Sequence, residues 1–527
     1  MKRDHFEDLK AVVACLKPNE VRTARKFITA FEGNATKGKN KSLLLFELIL
    51  KNDELNKEKV EKQLGFPTSP KALEKISDRL KTRILESITL FVNLERNDIY
   101  SVTFRTERVV RKQLMAAHFA YARNMLDIAL NLFDKIITKS IQFEFYDILI
   151  DALNAKRKFL GLTKGQEEYD KISMKVDFYA RCQYAVRRSQ NWYFLHFSQT
   201  QKNGLNQNDW AQLESQVSMI KNDYDFTNSK TVAYYYLSLL MEFYLANESF
   251  NKSCAEGKVL ISLVEKNIGI FTREQLGGSI SDLADNQLYI FDFQESIQNT
   301  LMAQKLHKKN NYNFQIALEV QFRATYYSGD LVSSQTLIEE LLKSTDKNSI
   351  PFHHAKRTYL QACVHFVKAE HKEAQQLLHS TKEIENDKEG WNIGKRLLTI
   401  LIHLEQDDWD QAETAITNLR MHIQRLKPEG TVRKRDAVIL KVLQKLLLAS
   451  FDYQQVLDKH PELFEQLDRT ERDYRWQVKS PEMVVFHHWF QDKAQGIPYQ
   501  FRVPEPLIKK FGAKSPGRDL DFPVKYP

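Results

Sequence analysis

Glycine and proline are scarce in this chain, 17 and 13 among 527 residues. Both interrupt helices more strongly than any other residue, so their scarcity argues for long helical stretches. Cysteine is scarcer still. Cys15, Cys182, Cys254 and Cys363 lie far apart, with no C-x-x-C pair and no histidine at ligand spacing. Disulfide frameworks and zinc sites need clustered partners, so the reading is four reduced, buried or half-buried thiols. Long apolar runs are missing too. The best candidates, such as 43–50, carry charge and fall well short of the ~20 residues that cross a bilayer. The opening MKRDHFEDLKAVVACLKPNE lacks the apolar core and small-residue cleavage site of a secretory leader. The expectation is a soluble, cytoplasmic protein with no membrane partner.

Catalytic motifs are equally thin. GNATKGKN at 33–40 approaches the phosphate-cradling G-x-x-x-x-G-K-[ST], with Gly33, Gly38 and Lys39 in place. Asn40 stands where a hydroxyl should hold magnesium, and the preceding FITAFE reads as the end of a helix rather than a strand. The pairs His353-His354 and His487-His488 are adjacent, so on a helix their side chains diverge by about 100°, poorly placed for a shared metal. No Gly-x-Ser-x-Gly elbow occurs. The expectation is a protein that is not an enzyme and uses no cofactor and no metal.

What the chain does have is a repeat. An aromatic or apolar residue is followed, three places on, by a small or apolar one, just after a turn between two helical stretches. The pairs are Leu126/Ala129, Tyr169/Ile172, Trp210/Leu213, Phe250/Ser253, Phe293/Ser296, Leu331/Ser334, His371/Ala374, Trp409/Ala412 and Tyr453/Val456. Successive copies are 38 to 44 residues apart. Two helices of ~13–16 residues and two short turns consume about that length. Six of the nine second positions are Ala or Ser, as close approach of paired helices requires. Around Ala122–Ile137, apolar residues recur at three and four, the helical period. No Asn-Gly or Asp-Gly turn joins alternating runs, so strands are not expected.

The units HFVKAEHKEAQQLL and HLEQDDWDQAETAI resemble tetratricopeptide repeats, and Ala362 matches the small residue of that family's first helix. The Trp-Leu-Gly-Tyr signature is mostly absent and the period exceeds the usual 34. A helical-hairpin solenoid of another kind fits the same spacing. The resemblance runs loosely over 110–470 and implies an all-α solenoid of about nine hairpins, residues 106–479, whose concave face holds a protein or peptide. Polar and aromatic residues expected to be exposed on first helices, Tyr236, Tyr326, Arg357, His365 and His403, are the candidates for that contact.

The ends differ from the array. The chain's net charge of +9 is already reached by Met125. Residues 1–105 read as helices at 5–16, 18–32, 42–51, 56–64 and from Pro70 to about Leu94. The last three resemble the helices of winged-helix DNA-binding domains. That resemblance would place Lys71, Lys75, Arg79 and Arg83 on a major-groove face, although no β-hairpin follows the third helix. A helical cap for the first repeat is the other reading. From Ser480 the chain carries seven of its thirteen prolines, yet also Trp489, Phe490, Tyr499, Phe501 and Phe511. This describes an extended tail, 480–527, lying along the solenoid or along a partner. Two functions follow: a binding scaffold, or a regulator with DNA-binding N-terminal helices and a signal-sensing array.

Overall fold

A computed structural model of the chain describes residues 4–31, 40–51, 56–65, 70–91, 101–203, 207–309, 311–343, 351–380, 383–384, 387, 390–426 and 432–513. The glycine-rich stretch 33–39, the side chain of Trp210 and the tail beyond 513 lie outside them. Among the described residues there is no strand, and no helix is long and apolar enough to cross a membrane. The chain divides into two units, Met1–Ser101 and Val102–Pro527, and no division falls near 480.

The first unit contains α1 (His5–Ala14), α2 (Pro18–Phe31), α3 (Lys41–Lys51), α4 (Lys57–Leu64) and α5 (Pro70–Phe91). These agree with the sequence reading to within three residues at each end. Asp4 caps α1 by accepting from the amides of Phe6 and Glu7, and Asn56 caps α4 by accepting from Lys59. The core gathers Phe6, Leu9, Ile28, Leu45, Phe46, Leu80 and Ile84, all fully buried.

The second unit is a run of helical hairpins. They pair α6 (Val102–Ala122) with α7 (Leu126–Phe143) and α8 (Tyr146–Lys164) with the first half of α9 (Gln166–Asn203). The second half of α9 packs on α10 (Gln207–Thr227). Next come α11 (Lys230–Ala246) with α12 (Phe250–Lys266), α13 (Arg273–Tyr289) with α14 (Phe293–Leu306) and α15 (Tyr312–Tyr327) with α16 (Leu331–Lys343). The last three hairpins are α17 (Pro351–Val367) with α18 (His371–Ser380), α19 (Trp391–Glu405) with α20 (Trp409–Leu426) and α21 (Lys434–Leu448) with α22 (Tyr453–Lys459). Each helix packs chiefly on its neighbours in sequence, which makes this an α-solenoid of tetratricopeptide-like hairpins.

The repeat seen in the sequence sets the register. Leu126, Phe250, Phe293, Leu331, His371, Trp409 and Tyr453 are each the first residue of a second helix. The small residue three places on is wholly buried in every such copy but the last, where Val456 is 1 % exposed. Ser253 and Ser296 use the closeness chemically: their hydroxyls donate to the carbonyls of Met241 and Ala284 on the preceding helix, at 2.9 and 2.8 Å. Tyr169 and Trp210 sit three residues inside their helices instead, and α9 runs on for 38 residues. Nothing between 166 and 203 is Gly or Pro, so no residue stops the helix where one hairpin would pass to the next.

The turns carry a feature that composition hides. The residue two places before each of those seven helices has a left-handed backbone: Asn124, Glu248, Phe291, Gly329, Ala369, Asp407 and Phe451. Only one is glycine. In five of them the next amide then bonds back five residues, as Ser249 does to Tyr244 and Glu370 to His365. That bond is the signature of a Schellman cap.

The stretch from 480 is less extended than its prolines suggest. Residues 486–494 form α24 (Phe486–Ala494) after the short α23 (Pro461–Leu467), and α25 (Glu505–Phe511) follows an irregular stretch. Phe486, Trp489 and Phe490 are fully buried, and Phe511 is 5 % exposed. Phe490 packs on Tyr453, Phe501 on Tyr327 and Phe511 on Phe250. The segment therefore returns along its own array, from the last hairpin back to α12.

Candidate functional site

One concave feature with polar walls is a groove of about 550 Å³, within the range of ligand sites. First helices build it. α13 supplies Ser281, Asp282 and Asp285; α15 supplies Tyr312, Gln315, Glu319 and Arg323; α17 supplies His353, Lys356 and Arg357; and α19 supplies Trp391. One wall is the chain itself, residues 477 and 479–481. The helical period explains the sharing. On a first helix flanked on both sides, one stripe packs inward and the remaining narrow stripe carries the charges.

The chain's own irregular segment 477–483, which turns between Gln477 and Ser480, is read by these helices through its backbone. Arg323 Nη1 donates to the carbonyl of Val478 at 3.2 Å, Tyr326 Oη to that of Met483 at 3.4 Å, and Tyr359 Oη to that of Pro481. Lys479 reaches Asp285 at 2.6 Å. Gly394 on α19 makes room: a Cβ there would lie 2.7 Å from the Cβ of Pro481. The segment is then locked by Arg435, which spends all five guanidinium hydrogens on Glu482, Leu467 O, Tyr474 O and His487 Nδ1.

The groove's cations are already engaged. Lys356 pairs with Glu319 at 2.6 Å, and Arg433 with Asp436 at 2.6 Å. Arg357 donates to Leu341 O and Gln315 Oε1, each at 3.1 Å. Burial favours a neutral Glu319, but Lys356, Arg323 and Arg357 outweigh it and hold its carboxyl down at about 2. The opposite holds for Asp282. Its side chain is open to the groove's water but walled by protein, and that wall, with Glu242 and Asp285, pushes its carboxyl up to about 7 against the pull of Lys479.

The residues singled out from sequence fare unevenly. Arg357 does line the groove, although it is 5 % exposed rather than open. Tyr326 is 1 % exposed and is spent on the carbonyl of Met483, so it is a packing residue rather than a surface one. Tyr236 is half-buried and stacks on Tyr224. His365 and His403 sit at the turns. His365 Nδ1 lies 2.6 Å from Glu370, and His403 Nδ1 3.3 Å from Asp408, the acid five residues on in each case. His365 thus clamps its Schellman turn, and His403, whose Nδ1 makes no hydrogen bond among the described residues, is buried at the equivalent place; neither is an exposed contact. Lys71, Lys75 and Arg79 are exposed on α5, while Arg83 is half-buried. Of the cysteines, Cys182, Cys254 and Cys363 are buried and Cys15 is exposed.

Asp282, Asp285, Glu319 and Lys356 were missed. The signal for them was available: a charge inside a helix that otherwise reads as buried, as in SDLADNQLY or QIALEVQF, has to face a water-filled groove.

One group has the composition of a metal site, Asp468 with His487 and His488. Its bonding fits a metal poorly. Arg435 Nη2 donates to His487 Nδ1, which leaves the ring proton on Nε2, where it donates to Asp468 at 3.0 Å. The nitrogen that would face a cation is therefore protonated. The arrangement fastens α24 to the hairpins.

No family model matches the chain, and no curated protein does. Among solved structures it is similar to the crystal structure of a signal transduction ATPase with numerous domains (STAND) from Pyrococcus horikoshii, a protein with a tetratricopeptide repeat sensor. Identity is 10 % and the TM-score 0.38. The match covers 80 % of this chain and 65 % of that one, so the chain spans just under two thirds of that protein's length.

Proposed function

We propose that this chain is a non-enzymatic helical-repeat scaffold that holds an extended segment of a protein partner in the groove formed by α13, α15 and α17. One observation carries the reading. The first helices already present hydrogen-bond donors to the main-chain carbonyls of a non-helical segment, 478–483, which turns between Gln477 and Ser480, and the open part of the groove lies beside it. Donors aimed at backbone carbonyls recognise extended chain of many sequences, and side-chain contacts then select among them. First helices of adjacent hairpins are spaced roughly 8–10 Å, so crossing from α13 to α17 takes about six extended residues.

The test is a photo-reactive residue in the intact chain, recovered from its own cells. Placed at Tyr312, 58 % exposed in the groove, it should give a discrete adduct; placed at Val332, 76 % exposed on α16, it should not. Equal adducts at both places would sink the reading.

A second reading rests on Lys71, Lys75 and Arg79, exposed four residues apart on α5. Such a row suits a nucleic-acid backbone, and its binding would weaken steeply with salt. A gel shift of the intact chain that is absent at low salt, or unchanged in a triple Ala variant, removes it.

A further inference from the structure

Three carboxylates gather at one end of the groove, from two helices: Glu242 on α11, and Asp282 and Asp285 on α13. Among the described residues Lys479, carried in by the C-terminal segment, pairs with Asp285, and His196 lies 3.8 Å from Glu242, a cation there when protonated. Among the described residues Asp282 has no ion pair or hydrogen bond, so negative charge is left over. The neighbouring cations do not relieve it, because Lys356 and Arg433 are each paired with another acid.

A second observation points to something that fits there. Ser281, next to Asp282, is 5 % exposed, and Ser480, next to Lys479, is 7 % exposed. Both line the groove, and among the described residues neither hydroxyl has a hydrogen-bond partner. Buried polar atoms without partners are uncommon in folded proteins. Two of them beside an uncompensated carboxylate describe a site that is completed from outside.

From this we infer that the Asp282 end of the groove takes a lysine or arginine side chain of the partner's extended segment, with Ser281 and Ser480 bonding that segment's polar groups. The chain's own Lys479 on Asp285 is the same interaction made internally. This deepens the scaffold reading and rests on it. A phosphate or carboxylate ligand is disfavoured at this end by like charge.

Fluorescein-labelled hepta-lysine, with hepta-glutamate as its counterpart, tests the inference on the intact chain. The chain carries +9 overall, so a polycation is attracted only where acid is concentrated. Hepta-lysine should bind at low salt and lose affinity at about 0.5 M salt, where the screening length falls to roughly 4 Å. D282N should weaken it about five-fold, and D282N with E242Q further, while circular dichroism stays unchanged. Asp282 is exposed and makes no bond, so D282N should fold. Equal binding to D282N and wild type, or tighter binding of hepta-glutamate than of hepta-lysine, overturns the inference. The two readings fail separately: a Tyr312 adduct that forms as strongly in D282N leaves the groove a binding site but not a cation site, whereas equal adducts at Tyr312 and Val332 remove the scaffold reading itself.

Discussion

Arg435 and Glu482 form a two-pronged ion pair, 2.6 and 2.8 Å, with side chains 0 and 2 % exposed. The pair joins α21 to the segment that closes the groove. Glu482 also accepts from the amide of Phe486 at 3.0 Å, which starts α24. A buried charge left without its partner is costly, whereas removing both charges together is far less so. R435M and E482L should each cost about 3–5 kcal/mol in urea unfolding. The double variant R435M/E482L should cost clearly less than their sum, and additive losses would mean the two act independently.

The turns give a prediction of opposite sign. Ala369 is exposed with φ 60°, a conformation that costs a residue with a side chain about 1–2 kcal/mol. Ala369→Gly should therefore raise the unfolding free energy by about 0.5–1 kcal/mol, after the entropy that glycine adds to the unfolded chain. Gly329 has φ 87° at the same place in another turn, and a Cβ there would meet nothing within 4 Å. Gly329→Ala should lower the unfolding free energy by about 1 kcal/mol through backbone strain alone. The reverse order would show that these turns are set by packing rather than by backbone preference.

Gly394 separates two effects in one substitution. Alanine is the better helix former by about 1 kcal/mol, yet its Cβ would lie 2.7 Å from Pro481 Cβ and 2.9 Å from Pro481 O. Gly394→Ala should detach the 477–483 segment locally. Hydrogen exchange should quicken at the amides of Val485 and Phe486 while those of α6 to α8 keep their protection.

Acid should destabilise the second unit. Burial, with the nearby His487 and Arg502, pushes His488 down to about 3. Above pH 6.5 neither the folded nor the unfolded state carries that proton. As pH falls from 6.5 towards 3, the unfolded state takes it up and the folded state does not, so stability drops by up to ~1.4 kcal/mol per pH unit. Urea midpoints at pH 7.5 and 5.5 should differ less in His488→Gln than in the wild type.

The register of the hairpins was legible because crowding constrains the sequence directly. A position such as Ala374 or Ser296, buried to 0 %, tolerates little else. Other features left no such mark. The left-handed residues are Asn, Glu, Phe, Ala and Asp as well as Gly, so the usual glycine signal was absent. The return of the C-terminal segment along the array depends on contacts across 260 residues, such as that of Asn251 with the carbonyl of Phe511. No local pattern reports those. Tyr326 and His403 looked available because polar tips on first helices suggest a surface, while the fold spends both internally.

Binding in the groove should depend on pH through Asp282, whose carboxyl is pushed up to about 7. Facing it are Tyr193 from α9, Tyr234 and Glu242 from α11, Asp285 on its own helix and Lys479 from the C-terminal segment. Below pH 7 the acid is neutral and attracts a cation less, so hepta-lysine affinity should rise between pH 6 and 8. In D282N that rise should flatten.

The central claim is that a partner's extended segment lies across the first helices. Hydrogen–deuterium exchange of the intact chain, with and without the protein that co-purifies with it, tests this most directly. Added protection should concentrate in 281–285, 312–323, 353–357 and 477–481, the walls of the groove. Protection confined to second helices such as α16 and α20, or to residues 4–91, would contradict the account.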